Sequence, residues 1–402
     1  MTYLPRTLES VLGRRLREFP VVLLTGPRQS GKTTLLRRRL PRADYLSLEA
    51  PDVRAAALSD PRGLLASRGR PIILDEIQHV PELLSYVQEE VDAHRRSRGR
   101  FLLTGSQNLS LMERTAQSLA GRVSVLTLLP MSLREQLRAP AARFPWEGAG
   151  RRVAALSNEE LWTRLVRGGY PELVASPRRE AAAWLSSYRQ TYLERDVRQI
   201  RQIGDLNQFD AFMRLLAARS GALLDLTSLS RDLGVAVNTV KAWLSVLEAS
   251  WQVAIVRPWS GNFGKRLVKT PRVYLLDTGI LCHLLGYSEA KQAASGPMAG
   301  AIFEAAVAGE LLRGAYHRGE TPRLHFWRTS QGEEVDFLVE HQGRLVPIEA
   351  KASSTPTPGH AKPIRDLRTA FGDRMLPGYV VHGGDRTLPL AEGVTAIPLA
   401  SF

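Results

Sequence analysis

The 402-residue sequence contains one cysteine, Cys282, few lysines and no long apolar run. A single cysteine excludes a disulfide within the chain and a four-cysteine zinc site, and this usage is typical of a reducing compartment. No segment approaches the roughly 18 apolar residues that a membrane helix needs, and the N-terminal segment lacks the apolar core of a secretion signal. We therefore expect a cytoplasmic protein without a membrane span.

The composition is otherwise that of a folded protein, with 44% hydrophobic and 23% charged residues. This balance argues against long disordered or collagen-like segments, and the length predicts two to four domains. The net charge is +14, and most of the basic residues are arginines. Arginine binds phosphate in a bidentate manner, although a GC-rich genome produces the same bias. An anionic partner is therefore one of two explanations.

The first 138 residues alternate short apolar runs with amphipathic segments. The runs lie at 21–25, 44–48, 71–75, 100–104 and 123–128. Runs of this length that are separated by segments of helical period predict buried parallel strands in an α/β sheet. A segment rich in Ala, Pro and Gly at 139–152 marks the end of this domain.

Three further units are predicted. Residues 139–208 have helical spacing and form a connector or lid. Residues 209–275 have the pattern of a helix, a turn at Gly234, a second helix and a β wing, which predicts a winged helix-turn-helix. Residues 276–402 return to α/β alternation. The fold class is therefore α/β, with a helical connector and a winged helix-turn-helix between two α/β domains.

A phosphate-binding loop follows the first strand and precedes a helical segment. It matches G-x-x-x-x-G-K-[ST], and its residues are Gly26, Pro27, Arg28, Gln29, Ser30, Gly31, Lys32 and Thr33, followed by Thr34. Loop amides and the helix N-terminus bind phosphate oxygens, the lysine reaches the β- and γ-phosphates, and Thr33 can ligate Mg²⁺. ATP and Mg²⁺ are therefore the predicted cofactors.

The second half of such a site is an acid at the end of another apolar strand. Asp75 and Glu76 follow the apolar run Ile72-Ile73-Leu74. We expect Asp75 to hold Mg²⁺ through water and Glu76 to polarise the water that attacks the γ-phosphate. The second acid favours an ATPase over a kinase.

Two further catalytic candidates are Ser106 and Arg122. Ser106 follows the apolar run that ends at Thr104 and is a candidate γ-phosphate sensor, although Thr104 and Asn108 could equally bond water. Arg122 is a candidate arginine finger that enters the site of a neighbouring subunit. A surface salt bridge is the alternative for Arg122.

The order of motifs carries a resemblance. GPRQSGKTT, IILDEIQ and LLTGSQN are followed by GGYPE at 168–172, YLERDV at 192–197 and GKRLVKTPRVYLLDTG at 264–279. From about residue 20 to 355 the chain resembles a bacterial and archaeal family that joins an AAA-type ATPase to a C-terminal region of uncertain function. The resemblance implies an ATP-hydrolysing motor of the AAA superfamily that forms a homo-oligomeric ring, most often a hexamer. YLERDV is either a coupling element or a helix with a solvated charged face.

The winged helix supplies the predicted DNA contacts. Apolar residues at helical spacing leave polar side chains of the second helix facing outward, and the wing segment is basic. The candidate DNA-binding residues are Asn238, Thr239, Lys241, Lys265, Arg266 and Lys269. These residues favour phosphate contacts over base readout, so structure-directed or non-specific DNA binding is expected. The alternative is a module that contacts protein within an oligomer.

Four residues of the last domain resemble the restriction-endonuclease-like PD-(D/E)xK core. Asp336 lies in one predicted strand, Glu349 and Lys351 share a face of the next strand, and Glu304 matches the upstream helical acid. In that core the carboxylates bind Mg²⁺ and the lysine steadies the nucleophile. The alternatives are a salt-bridged hairpin, or a nuclease fold that no longer cuts.

These features predict a DNA-dependent ATPase that remodels DNA structures, including branched or four-way junctions, in replication, recombination or repair. An ATP-switched regulatory or defence protein that acts through protein contacts is one alternative. An ATP-dependent DNA nuclease is the other.

Overall fold

The computed structural model describes residues 3–105, 118–139, 143–148, 154–192, 205–259 and 268–402. The first domain is a parallel sheet with the strand order β2-β3-β4-β1-β5. Its strands are β1 (Val21–Thr25), β2 (Asp44–Ser47), β3 (Ile72–Asp75), β4 (Phe101–Gly105) and β5 (Val123–Thr127). All five lie at the predicted positions within a residue or two.

Helices cover both faces of this sheet, which is why its strands are apolar on both sides. They are α1 (Leu8–Glu18), α2 (Lys32–Arg39), α3 (Pro51–Ser59), α4 (Pro61–Ala66) and α5 (Leu83–Ala93). Alternate residues of β1 enter different cores: Val21 and Leu23 pack on one face, and Val22 and Leu24 pack on the other. The parallel arrangement places the ends of β1 and β3 at the same edge.

Short helices follow the sheet, the first of them just before residue 139 and the other three within the predicted connector. They are α6 (Leu133–Gln136), α7 (Asn158–Arg167), α8 (Pro171–Ala175) and α9 (Ala181–Tyr192). Tyr170, before α8, packs its ring 4.7 Å from that of Tyr188 and 5.1 Å from that of Trp184, both on α9. This aromatic packing fixes α8 and α9 against each other beside the carboxyl edge of the first sheet.

The helix-turn-helix is present with the predicted turn. It consists of α10 (Leu206–Ala218), α11 (Leu226–Leu233) and α12 (Val237–Ala249). Asp225 begins α11 by accepting the N–H of Ser228 at 2.9 Å, and Gly234 ends it with φ 66°, a conformation that favours glycine. Of the apolar positions expected to be buried, Leu229, Val240, Leu244 and Leu247 are fully buried and Leu233 and Val235 are half-buried.

The last domain contains a mixed sheet with the order β12-β13-β11-β10-β9-β8-β6-β7. Its strands are β6 (Val253–Pro258), β7 (Arg272–Leu275), β8 (Leu324–Arg328), β9 (Glu334–His341), β10 (Arg344–Lys351), β11 (Gly378–His382), β12 (Leu388–Ala391) and β13 (Val394–Pro398). The accompanying helices are α13 (Thr278–Leu284), α14 (Ala290–Ser295), α15 (Ala299–His317) and α16 (Lys362–Phe371). Short 3-10 turns lie at Ile77–His79, Pro145–Glu147, Pro358–Ala361, Gly372–Arg374 and Leu399–Ser401.

The strands predicted as a wing belong to this larger sheet. β6 pairs with β7 in an antiparallel manner and with β8 in parallel, where Arg257 faces His325. One apolar core also runs from Leu133 in α6 through the helix-turn-helix to Phe402. The sheet therefore contains strands from both sides of residue 275, where the sequence predicted a domain boundary. The boundary itself stays a prediction.

None of the helices in the described ranges combines the length and the apolar composition that crossing a bilayer requires.

Candidate nucleotide site and acidic cluster

The loop between β1 and α2 has the backbone of a phosphate cradle. Gly26 has φ 138° and Gly31 has φ 95°, both in a region that favours glycine. A Cβ atom at Gly26 would lie 2.1 Å from the carbonyl oxygen of Leu128, so no larger residue fits. Gly31 immediately precedes α2, where free N–H groups and the helix dipole attract anions.

The ammonium group of Lys32 lies over this loop. Its Nζ donates to the carbonyl oxygens of Gly26 and Pro27, both at 2.9 Å, and the residue is 5% exposed. Such a buried ammonium is a strong donor to phosphate oxygens, because charge-assisted hydrogen bonds gain strength when water is excluded.

Asp75 is the centre of a cluster of hydroxyl groups. Thr33 Oγ1 donates to its two oxygens at 2.9 and 3.0 Å, Tyr45 donates at 2.6 Å, and Thr104 also donates to it. Burial and the Asp75 carboxylate raise the pKa of Tyr45 to about 12, so the phenol remains a donor. The sequence did not predict Tyr45, because its role depends on β2 lying beside β3.

Glu76 follows β3 in a strained backbone conformation. Its φ of 56° and ψ of 52° are left-handed, which is uncommon for a residue other than glycine. Its N–H donates to Thr104 Oγ1 at 3.0 Å, and Gln78 Nε2 donates to its carboxylate. These bonds hold the Glu76 side chain beside the loop, and strain of this kind is often found at functional sites.

A cavity of about 680 Å³ opens between the loop and the connector. On the sheet side it is bounded by Gly31, Lys32, Thr33 and Glu76, together with Arg28 and Gln29. On the other side the lining residues come from the N-terminal segment and from α8 and α9, and they include Tyr3, Arg6, Pro171, Glu172, Tyr188 and Tyr192. The sequence predicted the first group only, since the second depends on how the connector packs.

This donor set fits a magnesium–nucleotide complex. The glycine cradle and Lys32 suit phosphate oxygens, and the Thr33 hydroxyl lies against the Asp75 carboxylate, which are oxygen ligands of the kind that Mg²⁺ prefers. The remaining loop positions, Pro27, Ser30 and Thr34, lie between these groups or follow them. The role of each residue stays a prediction.

The other predicted catalytic residues have different outcomes. Ser106 and Asn108 lie outside the described residues. Arg122 forms a bidentate ion pair with Asp92, at 2.8 and 3.0 Å. A salt bridge of this kind was the alternative that the sequence analysis gave for Arg122. Arg122 also precedes β5 at the amino edge of the sheet, whereas the loop follows the carboxyl edge of β1. Its guanidinium is therefore on the wrong side to serve the site of its own chain.

The acidic residues predicted in the last domain do converge. Ala350 N–H donates to Asp336 Oδ2 at 2.9 Å, and Lys351 Nζ lies 2.8 Å from Glu349 Oε2 and 3.8 Å from Asp336 Oδ2. Strands β9 and β10 form the expected hairpin, in which Phe337 faces Ile348. Glu304, on α15, approaches the cluster from the helical side.

A residue that the sequence did not predict occupies the middle of this cluster. Arg272, on β7, places Nη1 3.1 Å from Glu304 Oε1 and 3.9 Å from Asp336 Oδ1, and Nη2 2.9 Å from Glu334. Tyr274 donates to Glu304 at 2.6 Å. Within the described ranges, no three His, Cys, Asp or Glu side chains are arranged to hold a metal ion. The carboxylates have a guanidinium as an ion-pair partner, and the predicted Mg²⁺ site of two carboxylates stays a prediction.

Burial is the largest cause of the raised pKa values of two of these acids. It raises the pKa of Glu304 to about 7, with a further increase from Asp336 that Arg272 opposes. Burial, followed by the charge of Asp336, raises the pKa of Glu349 to about 8, against the attraction of Lys351. The cluster thus holds protons that free glutamates would release.

The predicted DNA-binding residues are only partly described. Asn238 and Lys241 are exposed near the start of α12, and Thr239 is half-buried. Val237, the first residue of α12, is 40% exposed. Lys269 is exposed before β7, whereas Lys265 and Arg266 lie outside the described residues, as do Glu194, Arg195 and Asp196 of the YLERDV segment.

Comparison with known proteins assigns the class. The family model of an AAA domain matches residues 18–137, the range that contains the phosphate loop and Asp75. Two domains of unknown function match residues 158–291 (DUF8612) and 299–402 (DUF4143). The fold, the loop and the AAA match define a P-loop ATPase of the AAA superfamily.

Relatives over nearly the whole chain define the family. The chain is 34% identical over 390 residues to the uncharacterized protein Rv2008c of Mycobacterium tuberculosis, and the alignment covers 96% of this chain and 82% of that protein. The same values hold for the uncharacterized protein Mb2031c of Mycobacterium bovis. The chain belongs to the family of these proteins, and in this chain the AAA domain is followed by two domains of unknown function.

Solved structures give a weaker likeness. The Walker-type ATPase PABY2304 of Pyrococcus abyssi has a TM-score of 0.44 and 16% identity, and the match covers 69% of this chain and 94% of that one. The Holliday junction branch migration motor RuvB of Thermotoga maritima has a TM-score of 0.31 and 19% identity, over 61% of this chain and 88% of that one. Nothing further is inferred from scores this low.

Proposed function

We propose that this protein is a magnesium-dependent ATP hydrolase that binds DNA and remodels DNA structures. The observation that carries the ATPase part is the contact of Thr33 with both oxygens of Asp75, at 2.9 and 3.0 Å. It brings together, from the start of α2 and the end of β3, the hydroxyl and the carboxylate that a metal–triphosphate complex needs.

In this proposal each residue of the site has a specific role. Lys32 and the loop amides bind the phosphates, and Thr33 with Asp75 holds Mg²⁺, which supplies charge neutralisation on the phosphate oxygens when bound. Glu76 orients a water molecule and takes its proton as the water oxygen bonds to the γ-phosphorus and the bond to the ADP oxygen breaks. The aromatic residues of α9 exclude bulk water from the cavity.

Charge and exposure support the DNA part of the proposal. Asn238 and Lys241 are exposed at the start of α12, which is the part of a helix-turn-helix that enters a DNA groove. The net charge of +14 attracts a polyanion. Assembly into a homo-oligomeric ring belongs to the same proposal.

The ATPase is tested by calorimetric titration of ATP with Mg²⁺ and by phosphate release. We expect Lys32→Ala to reduce turnover by about 100-fold or more, because a charge-stabilising donor of this kind contributes on that scale. Lys291→Ala, at an exposed lysine of α14, is the matched control and should behave as wild type. Full turnover in Lys32→Ala would remove the ATPase proposal.

The DNA role is tested by measuring ATP hydrolysis with linear, forked and four-way DNA. We expect stimulation, and we expect the binding constant to fall with rising salt, because phosphate contacts release counterions. Lys241→Ala should reduce the slope of log K against log salt by about one unit, with Lys291→Ala as the control. A flat response to all DNAs would contradict the DNA role.

A second candidate is an ATP-switched regulator that acts through protein contacts. Its specific support is Val237, an apolar side chain 40% exposed at the start of α12, where a protein partner would bury it. ATP hydrolysis that is insensitive to DNA, together with nucleotide-dependent binding of a protein, would favour this candidate. The nuclease alternative is disfavoured by Arg272 within the acidic cluster.

A further inference from the structure

A buried arginine that lies outside the phosphate-loop motif is among the described residues that line the cavity. Arg6 precedes α1, is 5% exposed and lines the cavity. Its Nη1 donates to the carbonyl oxygen of Ser30 at 2.9 Å, and its Nη2 donates to that of Leu129 at 2.7 Å. One guanidinium thus joins the phosphate loop to the segment that follows β5.

The bond to Ser30 controls the direction of a phosphate-binding amide. In a trans peptide the C=O and N–H groups point in opposite directions, so fixing the Ser30 carbonyl also fixes the Gly31 N–H. Gly31 caps α2 in a left-handed conformation, and amides in such turns bind anions. Arg6 therefore aims this N–H while its own charge lies close to Gly31.

Arg6 is in turn held by a buried carboxylate. Its Nε lies 3.1 Å from Glu135 Oε2, and the Glu135 side chain is fully buried. Burial alone would raise the pKa of Glu135, but Arg6, His317 and the Thr7 N–H outweigh it and hold the pKa well below its usual range. The carboxylate also accepts the N–H groups of Thr7 at 2.8 Å and Ser132 at 3.1 Å.

The last member of the group comes from the other end of the chain. His317 ends α15, and its Nδ1 lies 3.2 Å from Glu135 Oε2. Its Nε2 accepts the N–H of Leu129 at 3.1 Å, and its Nδ1 faces Glu135. Gly319 lies directly against α1, because a Cβ there would be 2.7 Å from Val11 Cγ1.

We propose that Arg6 is a positioning residue for the phosphate-binding loop and that His317 of the C-terminal domain holds it in place. ATP binding in the first domain then depends on the packing of the last one. This inference rests on the proposed ATP hydrolysis. The C-terminal region would thus act on the nucleotide site through His317, which holds the side chain of Arg6 near the start of the chain.

Four variants of the full-length protein test this, with ATP affinity from calorimetry and KM and kcat from phosphate release. We expect Arg6→Met to weaken ATP binding and raise KM by about tenfold, the scale of one charged hydrogen bond, while kcat changes less. Arg6→Lys, which keeps one donor group, should recover part of the affinity. His317→Phe should raise KM severalfold, and His317→Gln, which keeps a donor and an acceptor, should recover it.

The matched control is His325→Phe. His325 lies 3.3 Å from Glu340 in the same domain and is not among the residues that line the nucleotide cavity, so the KM of this variant for ATP should be that of wild type. Hydrogen exchange gives a readout that does not require a variant to fold well. In the wild-type protein, ATP with Mg²⁺ should slow exchange in peptides that contain Leu129 and the end of α15.

Three outcomes would overturn the inference. Unchanged ATP affinity in folded Arg6→Met would remove the role of Arg6. Weakened binding in Arg6→Met with no change in His317→Phe, or exchange at the end of α15 that ignores ATP, would remove the role of His317. If wild-type protein fails to bind ATP at all, the proposed function itself fails, which is a different result from insensitivity to these substitutions.

Discussion

Arg272 places its Nη1 atom 3.1 Å from Glu304 Oε1, within the group of acids that resembles a nuclease metal site. The same guanidinium also lies 2.9 Å from Glu334 and 3.9 Å from Asp336. We therefore expect no cleavage of duplex, single-stranded or branched DNA with Mg²⁺ or Mn²⁺, as measured on gels. Cleavage that disappears in Asp336→Ala would show that the site binds metal after all.

The same arginine should be important for stability. Arg272→Met leaves buried carboxylates without their counter-charge, which costs about 3–5 kcal/mol when a buried pair is broken. The control is Arg328→Met, because Arg328 pairs with the same Glu334 at 2.9 Å but is 36% exposed, and such surface pairs contribute about 1 kcal/mol or less. Urea unfolding should separate the two variants, and equal losses would argue against the buried network.

The two raised pKa values predict a pH dependence of folding. In the folded protein the pKa values of Glu304 and Glu349 are about 7 and 8, above the value of a free glutamate, so the folded state binds protons more tightly. The stability that these two carboxyl groups add to the folded state is complete below about pH 4.5. It is lost as the pH rises through about 7 to 8.

Urea unfolding across that range checks this prediction. The difference in unfolding free energy between wild type and Glu349→Gln should shrink or change sign as the pH rises, because glutamine mimics the protonated acid. Glu159→Gln, at an exposed position of α7, is the control and should keep a constant difference from wild type. A constant difference for Glu349→Gln would show that the pKa of this carboxyl is not raised.

Tyr45 is expected to position Asp75 for metal binding. Its phenol donates to Asp75 Oδ2 at 2.6 Å, and loss of a hydrogen bond to a charged group typically weakens an interaction by about tenfold. Tyr45→Phe should therefore raise the Mg²⁺ concentration for half-maximal ATP hydrolysis by roughly three- to tenfold. Tyr86→Phe, at a ring that contacts Arg62, is the control. An unchanged magnesium requirement would show that Thr33 and Thr104 suffice.

Arg122 and Asp92 form a matched pair for the arginine-finger hypothesis. If their ion pair is purely structural, Arg122→Ala and Asp92→Ala should have the same small effect on melting temperature and none on ATP turnover. We expect this result for the dilute protein, because the ion pair lies at the amino edge of the sheet. Loss of turnover in Arg122→Ala alone, at concentrations where the protein assembles, would instead support the finger.

The local features of the nucleotide site were predictable because they are encoded in contiguous residues. The run before Gly26 is apolar on both faces of a strand, the loop needs glycine at positive φ, and Asp75 ends another apolar run. Parallel strands then bring these ends to one edge without further information. Tyr45, Arg6 and the connector residues of the cavity could not be predicted in this way, since their roles depend on neighbours far along the chain.

The C-terminal cluster was predictable only in part. Asp336, Glu349 and Lys351 are close in sequence, and their hairpin geometry followed from strand periodicity. Arg272 lies 62 positions before Glu334, and it reaches these acids because β6 and β7 join the last sheet instead of forming a separate wing. Only the strand order could reveal that a guanidinium lies among these acids.

By itself, the sequence determined the two chemistries that depend on local backbone: a glycine-cradled phosphate loop and an acidic hairpin. The tertiary structure alone decided what each one contacts. It placed Arg6 and His317, which are 311 positions apart, in one buried group next to the phosphate loop. It also placed Arg272 among the acids of the hairpin. The physical reason is that charges buried in a core must be paired, and the partner is whichever residue the fold brings within reach.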